Sequence, residues 1–302
     1  MKRISSCLII LVMMYGAVQG QILARDKYAK KYIKQANLIY LPLKSAPFPH
    51  PMRAEGYTYH DQFFPPAQHY QDNTVLVIFP NYYRIAEKVD LIFFFHGWWN
   101  NIDSTIQTFN ILEQFLLTKK NAWIIVPEVA RKAPDSFGGK LEDPQGFKNL
   151  VKDVLDFMLR VGLIENTEVG DIILAGHSGA YQVISAILAQ GGLTNQVKEV
   201  YLFDALYGQT ERFLTWIEKS NGKLINIYTK DGGTKSETER LMATLNEKKI
   251  GFLKVSEEQL NVDGLKNNRL IFINSQLGHN EVIHKNNNLY RFLDASILKS
   301  VN

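Results

Sequence analysis

Seven short runs of apolar, β-branched or aromatic residues recur after about Tyr70: Thr74–Phe79, Val89–Phe95, Ala122–Pro127, Ile172–Ala175, Glu199–Phe203, Leu224–Tyr228 and Leu270–Ile273. They do not alternate polar with apolar, which is how strands buried on both faces read. Between most of them lie stretches with helical character: Ser104–Leu117, Gln145–Arg160, Gly179–Gln190, Thr210–Lys219, Ser236–Lys248 and Asn288–Lys299. Strands alternating with helices imply right-handed crossovers. The pattern predicts an α/β fold, a mostly parallel sheet flanked by helices on both faces, as one main domain over residues 71–302. The first two runs are joined by only nine residues, so they are expected to be antiparallel.

Ahead of this region the pattern is different. Six of the ten prolines fall between Pro42 and Pro66, interleaved with Phe48, Tyr57, Tyr59, Phe63 and Phe64. A short helix is expected at Lys27–Asn37, then an irregular segment. Its aromatic content argues for packing on the main domain over residues 21–70, not for a free linker. Before it, Lys2 and Arg3 precede the apolar run Ile4–Ala17, and Val18 and Gly20 sit three and one residues ahead of Gln21. This is the layout of a secretory signal peptide over residues 1–20, too short for a lasting membrane span.

Composition adds little beyond this, except through the leader. The one cysteine, Cys7, excludes a disulfide scaffold and a cysteine-based zinc module. Cleavage near Gln21 would remove it, leaving a chain whose nucleophile can only be a hydroxyl. Removing Lys2 and Arg3 leaves 32 basic against 30 acidic residues, and no basic stripe stands out. Nucleic-acid binding is therefore not expected. No later apolar run reaches the length of a spanning helix, so a secreted or periplasmic protein without a stable membrane anchor is expected.

In sheets of this kind ligands sit beyond the carboxyl ends of the strands. Phe93–Phe95 is followed by His96-Gly97-Trp98-Trp99, and Ile172–Ala175 by Gly176-His177-Ser178-Gly179-Ala180. Asp204 directly follows Phe203; Asp231-Gly232-Gly233 comes three residues past Tyr228, and His279 follows Gly278 beyond the last strand. A Gly-x-Ser-x-Ala turn between a strand and a helix forces its serine into strained geometry, exposing Oγ among small neighbours. The following helix points its positive end at the same place. Alone, such a motif arises by chance in about one chain in five of this size. Its position, with an acid and a histidine following, gives it weight.

On the strand order, the GHSGA turn, the His-Gly pair and the order nucleophile–acid–histidine, the chain resembles the α/β-hydrolase superfamily, its secreted esterase and lipase-like branch, over about Asn73–Ser300. The resemblance implies that Ser178 attacks an acyl carbon and that His279 takes and returns its proton. His284, five residues further on, is the other histidine after the turn. The last position of the motif is Ala180 where the family has glycine, a departure of one methyl.

For the acid, Asp231 follows the strand most members use, whereas a branch including pancreatic-type lipases uses the preceding strand, which matches Asp204. An aspartate ending an apolar strand needs a reason to be there, so Asp204 is favoured and Asp231 stays open as the alternative. The oxyanion hole is expected from the backbone N–H groups of Trp98 and Gly179. His96 is expected to shape its loop by hydrogen bonds.

No phosphate loop and no zinc-binding helix motif occur, so neither cofactor nor metal is expected. The short interval from Asp204 to Leu224 leaves no room for a large cap domain. An open cleft walled by Glu128–Asp143 would take a small or polymeric ester, with Trp98, Trp99, Phe137, Tyr181 and Tyr207 as aromatic surfaces for a sugar, aryl or acyl group. The readings kept beside ester hydrolysis are amide or peptide cleavage by the same residues, and a silent binding protein of this fold.

Overall fold

In the computed structural model, which describes residues 31–32 and 34–301, the apolar runs form the middle of a nine-stranded sheet. The expected signal peptide, with Cys7, lies outside the described residues, as do residues 27–30 and 33 of the expected helix Lys27–Asn37. Of the rest, 31–32 are helical, 34–35 form a turn, and Ala36 and Asn37 already belong to a strand, so the expected helix is corrected at its carboxyl end. The strands are β1 (Ala36–Pro42), β2 (Tyr57–Tyr59), β3 (Gln62–Phe64), β4 (Thr74–Pro80), β5 (Val89–Phe95) and β6 (Ala122–Pro127). They continue with β7 (Val169–His177), β8 (Val197–Phe203), β9 (Lys223–Thr229), β10 (Leu253–Ser256) and β11 (Leu270–Ser275). The helices are α1 (Pro66–His69), α2 (Ile102–Thr108), α3 (Ile111–Thr118), α4 (Gly146–Arg160) and α5 (Tyr181–Gln190). After these come α6 (Thr210–Lys219), α7 (Lys235–Glu247), α8 (Val262–Asn267) and α9 (Asn288–Asp294).

The order across the sheet is β1-β4-β6-β5-β7-β8-β9-β11-β10. All pairs from β6 to β10 are parallel, and β4 and β1 close one edge as antiparallel neighbours. Successive residues of each strand feed opposite cores. Leu91, Phe93 and Phe95 of β5 join Val151, Ile184, Phe213 and Leu241 from α4, α5, α6 and α7. Ile92 and Phe94 join Ile106, Phe115 and Phe292 from α2, α3 and α9. Both faces are covered, which is why the strands read as unbroken apolar runs. Helix α4 shows the complementary pattern: Phe147, Leu150, Val151, Val154, Leu155 and Met158 are all buried along one stripe, and its charged residues lie off it. The chain is α/β with a mostly parallel sheet, as its pattern predicts. Between Asp204 and β9 it inserts only α6.

Several elements differ from the expectation. β4 and β5 run in opposite directions, but β6 lies between them, so they do not pair. The expected helix Ser104–Leu117 is two helices, broken at Asn110, which takes a left-handed φ of 51°; asparagine is among the few residues that tolerate it. The last helix ends at Asp294 and not at Lys299, because the chain turns away so that Lys299 O accepts from Asn121 N at 2.8 Å. β1 is an edge strand built from Ala36–Pro42, where no strand was expected, and it pairs along its whole length with β4. The β2–β3 hairpin and β10 are likewise absent from the sequence reading, being too short for a pattern to register. Phe48, Phe64 and Tyr70 pack with Ala130, Ala133 and Phe137 in a small third cluster, with Tyr57 and Tyr59 against it.

Because β5, β7, β8, β9 and β11 are parallel neighbours, the residues following each of them emerge at one edge of the sheet. That edge carries the candidate site.

Candidate active site

Ser178 follows β7 and opens a tight turn, Ser178–Ala180, that leads directly into α5. Its φ of 54° lies in the left-handed region, unusual for a serine and costly unless the surroundings enforce it. The surroundings are small-residue contacts. A Cβ at Gly176 would come within 2.6 Å of the Ala180 Cβ, and one at Gly97 would overlap the Ser178 side chain. At Gly179 a Cβ would lie 2.6 Å from the Trp98 indole and 2.7 Å from Ser136 Oγ. The turn and the loop after β5 are therefore pressed together, with Ser178 between them.

His279 is carried by the loop after β11, and its Nδ1 lies 2.6 Å from Asp204 Oδ2. Asp204 sits at the end of β8 with no side-chain exposure, its φ of 45° also left-handed. Its carboxylate accepts from the Thr229 amide at 3.2 Å, the Thr229 hydroxyl at 2.8 Å and the Thr234 hydroxyl. Burial pushes this carboxyl up, but the hydrogen bonds from His279, Thr234 and Thr229 outweigh it and hold the group below its ordinary range. Asp231, by contrast, is exposed in the turn after β9. The glycine beside it matters more: a Cβ at Gly232 would overlap the Asp204 carboxylate, and the Gly232 amide donates to Thr229 Oγ1 at 2.8 Å.

Two other histidines shape the site. His177 is fully buried, its Nε2 3.0 Å from the His279 carbonyl oxygen and its ring 4.5 Å from that of His279. Burial, reinforced by the neighbouring His279, pushes it down to about 3, so it is a neutral donor that fixes the His279 backbone. His96 is buried with Nε2 2.8 Å from Glu128 Oε1 and Nδ1 2.9 Å from the Gly97 carbonyl. Glu128 also accepts from the Ile102 amide at 3.3 Å. His96 thus ties the loop carrying Trp98 to the end of β6.

The two tryptophans diverge. Trp98 is half-buried, and its Nε1 donates to Ser136 Oγ at 2.8 Å. Trp99 takes a left-handed φ of 63°, which turns it away; it is 54% exposed, with its ring 5.6 Å from Phe64. Of the two, only Trp98 is among the residues lining the cleft beside Gly179. Tyr181 and Tyr207 face each other with ring centroids 6.0 Å apart, and the Tyr207 ring lies 6.3 Å from that of His279. The Tyr207 hydroxyl donates to the Gly232 carbonyl; burial and then the charge of Asp204 push it up to about 12.

A cleft of about 510 Å³ opens beside Gly179, lined by Trp98, Ser136, Phe137, Tyr181, Glu142 and Gln182. Arg53 and Tyr57 from the Pro-rich segment line it as well. Arg53 is held by a bidentate pair to Asp135, at 2.7 and 3.1 Å, with its guanidinium over the rings of Tyr57 and Phe137. Sequence reasoning missed Ser136, Glu142, Thr229, Thr234 and Arg53. Only Glu128 carried a readable signal, an acid directly after an apolar strand, as at Asp204. Among the described residues no group of three or more histidine, cysteine or acidic side chains is placed to hold a metal ion, and no helix is long and apolar enough to cross a membrane.

No protein-family model and no curated protein matches the sequence. Solved structures do match the fold. The feruloyl esterase module from Clostridium thermocellum, complexed with sinapinate, is 12% identical with a TM-score of 0.52, over 92% of this chain and 94% of that one. A ferulic acid esterase is 10% identical with a TM-score of 0.52, over 86% and 97% respectively. At these identities the likeness establishes the architecture, and the chain has the α/β-hydrolase fold.

Proposed function

We propose that this chain is an exported serine hydrolase that cleaves a carboxylic ester through an acyl-enzyme on Ser178. The observation that carries the reading is the serine held at φ 54° on a strand–helix turn, at the same sheet edge as a histidine bonded to a buried carboxylate. With Nδ1 donating to Asp204, the remaining His279 nitrogen, Nε2, is the base.

In the first half-reaction Nε2 takes the Ser178 proton as Oγ attacks the ester carbon. The tetrahedral oxyanion is met by the backbone N–H groups of Gly179 and Trp98, the first at the positive end of the helical turn. His279 then gives the proton to the departing alcohol, leaving the acyl group on Ser178. Water repeats the sequence, losing a proton to His279, and Ser178 leaves as the carboxylic acid forms. Asp204 remains ionised throughout and stabilises the imidazolium. The two structural neighbours are both named as esterases, which agrees with an ester in preference to another acyl donor. Export rests on the basic start and apolar run of residues 2–17.

The test is a fluorophosphonate probe with the purified chain, alongside p-nitrophenyl acetate turnover. Wild type is expected to label and turn over, and Ser178→Ala to do neither above background. Equal labelling of both, or no labelling of wild type, rules out Ser178 as nucleophile.

A further inference from the structure

The charges in the cleft beside Gly179 are unbalanced. Its walls carry three carboxylates, Asp135, Glu142 and Asp143, against the single cation Arg53. Arg53 is committed to Asp135 through both forks of its guanidinium and is sandwiched between two rings. It therefore has little to offer an incoming anion. Asp143, exposed at the rim, faces His50 at 3.3 Å.

Glu142 is different, for its direct partners are neutral donors. Oε1 accepts from the Gly138 amide at 2.6 Å and from the Gln182 amide at 3.0 Å, and Oε2 lies 3.2 Å from the same Gln182 nitrogen. Burial pushes the group up, and although these donors and the more distant charge of Arg212 favour the ionised form, it stays above its ordinary range. A carboxylate has about four acceptor sites, so Glu142, which lines the cleft, retains acceptor capacity. Trp98 and Tyr181 line the same cleft, and aromatic rings of this kind attract cations.

Taking the reading of Ser178 as nucleophile as given, we infer that this cleft selects esters bearing a positively charged group, an ammonium or guanidinium, with Glu142 as the specificity-determining residue. A cation in this cleft shares it with the Glu142 carboxylate and the Trp98 and Tyr181 rings. An anionic group of the same size meets two negative charges and an arginine already neutralised.

Three p-nitrophenyl esters of similar length, ending in trimethylammonium, tert-butyl and carboxylate, separate charge from size. At low salt, kcat/KM is expected to be about tenfold higher for the cationic ester than for the tert-butyl ester. It should be about tenfold lower for the carboxylate, a modest effect for unit charges at contact distance near a protein surface. Glu142→Gln, which keeps an acceptor for Gly138, should compress the cationic-to-anionic ratio about tenfold. Asp143→Asn and 1 M NaCl on the wild type should each compress it less, and both remain readable if the Gln variant does not fold.

Three esters within twofold of one another in the wild type would overturn the proposal. So would a ratio that a folded Glu142→Gln leaves unchanged. Ser178→Ala is run on all three esters: turnover surviving there refutes the nucleophile instead, whatever the ratio.

Discussion

Strand β8 carries a buried acid at each end, and the two behave in opposite ways. Glu199, near its start, is 3% exposed; Asp204, just past its end, is fully buried. Burial pushes both carboxyls up. At Glu199 the Tyr201 hydroxyl, the charge of Lys223 and the Ile297 amide at 2.7 Å recover only part of that, and the group stays above its ordinary range. At Asp204 the imidazole and two threonine hydroxyls more than reverse it. Burial alone therefore does not decide how a carboxylate titrates. What sets Asp204 apart is the set of donors that favours its ionised form, the His279 imidazole among them.

The largest expected effect breaks the pair apart by activity. Asp204→Asn should lower p-nitrophenyl acetate turnover by about 10³–10⁴-fold, the scale on which a triad histidine loses its orienting carboxylate. Glu199→Gln, at the amino-terminal end of the same strand, should change it less than about twofold. Similar losses in both folded variants would mean that β8 matters for packing and not for chemistry.

A smaller loss is expected without touching any ionisable group. Gly232→Ala places a methyl against the Asp204 carboxylate and must displace it or the turn. Turnover should fall by about 10²-fold, a displacement of the order of 1 Å being enough for such a loss. Gly251→Ala, where a Cβ would meet nothing within 4 Å, is the control. Unchanged turnover in Gly232→Ala would show that the Asp204 cradle is softer than its hydrogen bonds imply.

The smallest effect is in stability, where the two acids should differ in sign. Asp204 has a depressed folded value, so its contribution is present above its ordinary 3.8 and is lost as pH falls through the lower folded value. Glu199 has a raised folded value, so the folded state is penalised once pH climbs above its ordinary 4.5 through that value. Relative to wild type, Asp204→Asn should cost most at pH 7 and least near pH 3, whereas Glu199→Gln should gain most at pH 7. Melting curves across this range should show shifts of about 2–4 °C per kcal/mol. Parallel trends for the two variants would contradict the opposed directions.

Much of the fold was legible because its signals are local. Apolar runs such as Ala122–Pro127 are buried at every residue, and a doubly covered strand has no polar face to hide its identity. The GHSGA turn is legible for the same reason: the small residues at 176, 179 and 180 answer contacts made within a few residues or with the two adjoining loops that carry Trp98 and Ser136. β1 was not legible. Its seven residues mix buried and exposed positions, and its pairing partner β4 lies more than thirty residues away. The cleft was less legible still, since Arg53 meets Asp135 across 82 positions and Trp98 meets Ser136 across 38.

The sequence by itself determined the alternation of strands and helices, the strained serine turn and the pool of candidate partners, because each depends on periodicity or on the chemistry of neighbouring residues. Only the tertiary structure decided which carboxylate lies against His279, which tryptophan lines the cleft and which charges share it. Those depend on where distant loops meet at the edge of the sheet, and a hydrogen bond of 2.6 Å between positions 204 and 279 leaves no trace in the order of the residues between them.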